Sequence, residues 1–167
     1  DIDTVKGIEQ ECIRLFNQPS IPESEYSQEY KFCARQTNFD YDYTLWYSKT
    51  WFEYAKLHAA SFELPEYNRD KVENIANNLY EYTLKVDGVN ELINDLNSCG
   101  VGFFCLSHLQ KTYLDGAAFI SGNNPFVVYT CRYDRIDNFW FVIAHEIAHI
   151  LHHYDFLKEA FLDNLEH

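Results

Sequence analysis

The run "NFWFVIAHEIAHILHHY", residues 138–154, restricts the fold of this chain more than any other stretch. Phe139, Trp140, Phe141, Val142, Ile143, Ile147, Ile150 and Leu151 point in many directions around a helix axis, so a helix here is apolar on nearly every side. A helix of that kind belongs in the middle of a domain, with other layers covering it. Asp137 stands where it can cap the start. His145, Glu146 and His149 are the polar exceptions at the centre. Burying them without partners costs several kcal/mol, about 2 or more for each group, so their presence needs a physical reason.

The preceding chain supplies the covering layers. "VKGIEQECIRLF" sets Val5, Ile8, Cys12, Leu15 and Phe16 at helical spacing, and "NQPSIPESEY" breaks that helix with two prolines. "SQEYKFCARQ" reads as a short helix. "NFDYDYTLWYSKTWFEYAKLHAASF" reads as a longer one, with Asp40 or Asp42 at its N-cap and Leu45, Trp46, Phe52, Ala55 and Leu57 to bury. After the break at "ELPEYN", "RDKVENIANNLYEYTL" resumes the helical period through Val72, Ile75, Ala76, Leu79 and Tyr82. A turn at Asp87-Gly88 leads to "VNELINDLNSC", which Gly100 stops.

The pattern then changes to strands: "VGFFCLS", "GAAFIS" and "FVVYTC". Gly122-Asn123-Asn124-Pro125 turns between the last two, which should pair as an antiparallel hairpin. The expected fold class is α+β: a helical N-terminal layer, a small antiparallel sheet and a buried HExxH helix. Residues 1–98 form the helical region and 99–167 the core with hairpin and final helix, packed together as one unit.

Composition narrows the function classes. The net charge of −13 repels phosphate backbones and anionic lipid surfaces, so neither direct nucleic-acid binding nor a membrane is expected. A basic protein partner is compatible with it. No apolar run approaches the roughly 18 residues of a membrane span, and the N-terminus carries no signal-peptide pattern. Cys12, Cys33, Cys99, Cys105 and Cys131 are odd in number, lack a CxxC pair and have mostly apolar neighbours. They read as reduced, buried thiols in a cytoplasmic protein.

On a helix, residues four apart lie above one another. His145 and His149 can therefore aim ring nitrogens at one ion, at the distance of about 2 Å that zinc prefers. Glu146, rotated about a third of a turn, cannot join them as a ligand in the same way but can reach a water held on the ion. In HExxH hydrolases that carboxylate takes the water's proton while the metal polarises the scissile carbonyl. His153 lies too far along the axis to share that ion, and His152 sits on an adjacent face. Both read as helix-end residues favoured by the dipole, or as groups that orient the ligands. His58 and His108 read as ordinary surface or edge histidines.

"DGAAFISGNNPFVVYTCRYDRIDNFWFVIAHEIAHILHH" resembles the ImmA/IrrE family of metallopeptidase domains. The resemblance runs from about Val101 to Tyr154. It rests on the Asp115-Gly116-Ala117 entry to the hairpin, the "RYDRIDNFWF" approach and the HExxH helix ending in a leucine and histidine. Upstream, "FCARQ", "LWYSKTWFEYAKL" and "VNELINDLNSCGVGFF" fall in the order of long members. The resemblance implies a zincin-like core in which His145 and His149 bind zinc and Glu146 is the catalytic base. It also implies a third, acidic ligand from a later helix. Only eighteen residues follow His149; Glu159, in "LKEAFLDN", matches locally but arrives early, so that ligand is expected beyond the end of this chain.

Long members carry a helix-turn-helix domain ahead of the peptidase-like part. None is evident here, and the chain starts at Asp1 without any methionine, so it is expected to be a fragment cut just after such a domain. Leu165-Glu166-His167 fits either a native end or the first residues of a histidine tag.

The leading expectation is a cytoplasmic zinc-dependent peptidase that cleaves a regulatory protein of repressor or antitoxin type. Tyr133 and Tyr154 are candidate oxyanion donors, each with a core role as its plainer reading, and the hairpin edge is a place for an extended substrate. The alternative is a catalytically weak or inactive binding or sensor module of a transcription regulator or toxin–antitoxin protein. A metal-free structural domain is the third reading, and the burial of three polar side chains counts against it.

Overall fold

The structure is a computed structural model that describes residues 41–109 and 114–154. The helices expected at "VKGIEQECIRLF" and "SQEYKFCARQ", as well as Cys12, Cys33, Glu159 and the last three residues, lie outside the described residues. Helix α1 spans Tyr41–Ala59, α2 Arg69–Asn77, α3 Leu79–Thr83 and α4 Gly88–Ser98. Strands β1 (Gly102–Cys105), β2 (Gly116–Ser121) and β3 (Asn124–Tyr129) follow, and α5 (Ile136–His153) comes last. The class is α+β, as the sequence suggests. None of the described helices is long and apolar enough to cross a membrane.

The first layer differs from expectation in two details. Leu57, expected in the core, is 57% exposed, because Trp51, Phe52, Ala55 and Ala59 define the buried side of α1 and Leu57 falls across the axis. The single helix expected from "RDKVENIANNLYEYTL" is two, broken at Asn78. Asn78 leaves helical geometry at φ −112° and ψ 16°, and its side chain donates to the Asn74 carbonyl at 2.8 Å. That bond offers the backbone acceptor an alternative to the next helical turn.

Helix α4 ends as its sequence implies. Gly100 takes a left-handed φ of 80°, its N–H donates to the Asn97 carbonyl at 3.1 Å, and the Val101 N–H donates to Leu96 at 3.0 Å. This is a Schellman closure, in which a residue with a Cβ would be strained. The side-chain amide of Asn124 then donates to the carbonyls of both Pro65 and Gly100, at 2.8 and 2.7 Å. One asparagine thus ties the start of β3 to the helix end and to the "ELPEYN" break.

The sheet has the order β1-β3-β2. β2 and β3 form the expected antiparallel hairpin, from Gly116 opposite Tyr129 to Ser121 opposite Asn124, around a two-residue turn at Gly122-Asn123. Asn124 and Pro125, read as turn residues, belong to β3. The sheet is mixed rather than wholly antiparallel: β1 runs parallel to β3, from Gly102 opposite Phe126 to Cys105 opposite Tyr129. β3, the "FVVYTC" strand, is therefore central and paired on both sides.

Alternation sorts the side chains to two faces. Phe103, Ala118, Val127 and Tyr129 face a core shared with α2, α4 and α5. Phe104, Ala117, Phe119, Phe126 and Val128 face α1 through Trp51, Phe52, Ala55 and Ala59. Trp51 also pins the end of β1, its indole N–H shared between the carbonyls of Leu106 and Ser107 at 3.2 and 3.1 Å.

Cys99 is buried, but Cys105 and Cys131 are exposed, against the expectation of buried thiols throughout. Both lie at the carboxyl ends of parallel neighbours, where the sheet opens to solvent.

Candidate functional site

Helix α5 packs against β2, β3 and α2. Phe139, Val142, Ile143, Ile147, Ile150 and Leu151 are its buried apolar residues. The spacing 139, 142–143, 146–147, 150–151 leaves one helix face inward, and Glu146 falls within it. Asp137 is not the cap: it is the second helical residue, after an extended Arg135. It pairs with Arg135 instead, through one hydrogen bond of 3.0 Å and a second, shorter one. That guanidinium holds the Asp137 carboxyl below the usual range for an aspartate. The negative charge still favours the positive end of the helix.

His145 and His149 sit half-buried on successive turns. Their rings meet nearly at right angles, 86°, with centroids 4.6 Å apart, and the two Nε2 atoms approach to 3.0 Å. Two ligands held at about 2.05 Å on a tetrahedral ion stand about 3.3 Å apart, so opening this pair by a few tenths of an ångström admits zinc between them. Without an ion, one Nε2–H donates to the lone pair of the other, which requires different tautomers on the two rings. Phe141 stacks on His145 from one turn earlier, at 6.3 Å and 17°.

Glu146 is only 2% exposed. A carboxylate in that position needs compensating interactions, since removal of an ion from water costs several kcal/mol, of order 3 or more. It takes part in electrostatic or hydrogen-bond interactions with its surroundings. What makes room for it is Gly116, at the start of β2. A Cβ there would come within 2.5 Å of Val142 Cγ1, 3.1 Å of Glu146 Oε1 and 3.2 Å of the Val128 carbonyl oxygen. Gly116 therefore lets α5 lie close to the hairpin with its carboxylate against the strand. The sequence signal for this was a glycine opening a strand directly after Asp115, although nothing local linked it to Glu146.

The hairpin entry is braced from the other side. Thr130 donates its N–H to the Asp115 carbonyl at 3.1 Å, and its hydroxyl to the carbonyls of Leu114 and Asp115 at 2.8 and 2.9 Å. Arg132 pairs with the Asp115 carboxylate at 3.4 Å. These contacts, invisible from periodicity, fix the segment between β3 and α5.

The remaining candidates fall outside the pair. His153 lies 5.6 Å from His149 between ring centroids, and both it and His152 are exposed near the end of α5. His58 packs edge-on to Phe104 at 4.7 Å on the opposite side of the sheet, and His108 contacts the Leu109 carbonyl at 3.1 Å. Tyr154 stacks on Tyr67 at 5.0 Å and donates to the Asn123 carbonyl at 3.2 Å, a fastening of α5 to the hairpin turn. Tyr133 is 44% exposed beneath the Arg132 guanidinium. Among the described residues, no group of three His, Cys, Asp or Glu side chains is arranged to hold a metal.

No protein-family model, no curated protein and no solved structure matches this chain.

Proposed function

We propose that this chain is a cytoplasmic, zinc-dependent metallopeptidase domain of the ImmA/IrrE kind, hydrolysing a peptide bond in a regulatory protein of repressor or antitoxin type. The observation that carries the reading is the 3.0 Å approach of two Nε2 atoms next to a buried carboxylate in sequence. The HExxH spacing and the resemblance over residues 101–154 support it.

In this reading His145 and His149 hold the ion through Nε2, and a third protein ligand comes from outside the described residues. Bound zinc supplies a Lewis acid that acidifies a water and polarises the scissile carbonyl. Glu146 would serve as the base that takes a proton from the attacking water and returns it to the departing amine. Gly116 keeps the carboxylate in place by letting the helix lie close to β2. Because β3 is paired on both sides, β2 is the hairpin strand with an unpaired edge among the described residues, and an extended substrate would add there.

Replacement Glu146→Gln tests the chemistry. Cleavage of a co-expressed regulator should fall by roughly 10²–10⁴-fold while zinc stays bound. Cleavage that persists at the wild-type rate would remove Glu146 as the base.

One observation favours a second reading, a binding or sensor module with weak or no hydrolysis: among the described residues His145 and His149 lack a third ligand. Zinc uptake without cleavage of any regulator by the wild-type chain would support that reading.

A further inference from the structure

We propose that Cys105 and Cys131 form a dithiol site which a peroxide closes into an intramolecular disulfide. This inference is independent of the metallopeptidase reading. Cys105 ends β1, directly opposite Tyr129 of the parallel strand β3, and Cys131 follows two residues later. The parity of the strands puts Cys105 on the same sheet face as Phe103, Val127 and Tyr129. The Leu106 N–H donates to the Tyr129 carbonyl at 3.0 Å, which holds the two chain segments together just where the thiols lie.

Cys131 itself is held rather than loose. Its neighbours Thr130 and Arg132 are both fastened towards β2, through Leu114 and Asp115. Between them Cys131 takes a left-handed φ of 54°, uncommon for a residue with a side chain. The chain turns there, two residues beyond the rung that pairs Tyr129 with Cys105, which brings the Cys131 thiol within interacting range of Cys105. Burial, followed by the neighbouring Cys131 thiol, pushes the Cys105 thiol up to about 11. Both residues are nonetheless exposed, so a small oxidant can reach them, whereas Cys99 is buried.

The chemistry balances with one peroxide. One thiol of the pair loses its proton and attacks the peroxide O–O bond, giving a sulfenic acid and a hydroxide, which that proton turns into one water. The second thiol attacks that sulfur, the S–S bond forms, and hydroxide leaves with the thiol's proton as a second water. Two thiols lose two electrons and hydrogen peroxide gains them. The bridge would sit on the rung Cys105–Tyr129–Gly116, whose far end lies against Glu146.

Peptide mapping of the full chain tests this. The reduced protein is treated with hydrogen peroxide, its remaining thiols are blocked, and it is digested with trypsin without reductant. Cleavage after Lys85, Lys111 and Arg132 puts Cys99 and Cys105 in the peptide Val86–Lys111 and Cys131 in Thr112–Arg132. The expected product is these two peptides joined, lighter by two hydrogens, with fragmentation assigning the link to Cys105. The same treatment of Cys105→Ser should give no such pair. Recovery of Cys131 from the wild-type chain as a blocked thiol or a sulfinic acid, or linked to any cysteine other than Cys105, would overturn the proposal. So would a joined pair that survives in Cys105→Ser.

Discussion

Both faces of the sheet are covered by helices, yet only the face towards α5 buries a carboxyl group. Towards α1 the sheet presents rings: Phe52 meets Phe119 edge-on at 5.2 Å, and Phe119 stacks with Phe126 at 5.7 Å. Towards α5 it also meets rings, with Phe103 and Tyr129 edge-on to Phe139 at 6.3 and 5.3 Å, but beside aliphatic residues this face holds one carboxylate, Glu146, buried almost completely beside Val142 and Gly116. Burial of a phenylalanine stabilises a fold by about 1.5–3 kcal/mol, whereas burial of a charge works against it. The face towards α1 is accounted for by stability alone. The α5 face retains a group that stability disfavours, on the same helix turn as a converging histidine pair, and this contrast is why the functional reading rests on α5.

The contrast is breakable by substitution. Phe119→Ala should have the largest effect, a loss of about 3–5 kcal/mol in urea unfolding from a cavity among the rings. Under conditions where the variant remains folded, its zinc uptake should match that of the wild type. Equal loss of stability and zinc would show that the two faces are not separable.

Gly116→Ala should cost about 1–3 kcal/mol through overpacking against Val142, and it should lower cleavage beyond that stability loss because Glu146 is displaced. Wild-type stability and cleavage in this variant would mean that the close approach of α5 to β2 has no role.

The smallest effect concerns pH. Burial, then the 2.6 Å hydrogen bond to Asp95, raises the Tyr82 phenol above its usual value of 10.0. The unfolded chain therefore loses this proton first. The stabilisation is fully present below about pH 10 and declines as pH rises beyond it. Tyr82→Phe should flatten the stability curve above pH 10 and leave the neutral region nearly unchanged. An alkaline limb identical to the wild type would assign that pH dependence elsewhere.

Local features of this fold were legible because local residues determine them. Gly100 announced the end of α4 and Gly122 and Asn123 the hairpin, and the apolar run marked α5, although that helix buries one face and leaves Phe141 60% exposed where the sequence implied cover on nearly every side. What the sequence did not reveal depends on distant partners. The parallel pairing of β1 with β3 has no turn signal, since no short connection joins parallel strands. The contact of Gly116 with Glu146 joins positions thirty residues apart, and the Asp115–Arg132 brace is likewise non-local. Leu57 and the two exposed cysteines were misread because hydrophobicity specifies a preference for burial, not which side of an element is covered. At the site, the four-residue spacing was enough to anticipate that the histidine rings would meet.

Zinc titration of the wild-type chain beside His145→Ala and His149→Ala tests the histidine pair most directly. The expected result is one zinc per chain, held more loosely than in a three-ligand site, with uptake lost in either variant and retained in Glu146→Gln. Absence of zinc uptake by the wild type, or uptake unchanged when both histidines are replaced, would contradict a metal centre on α5.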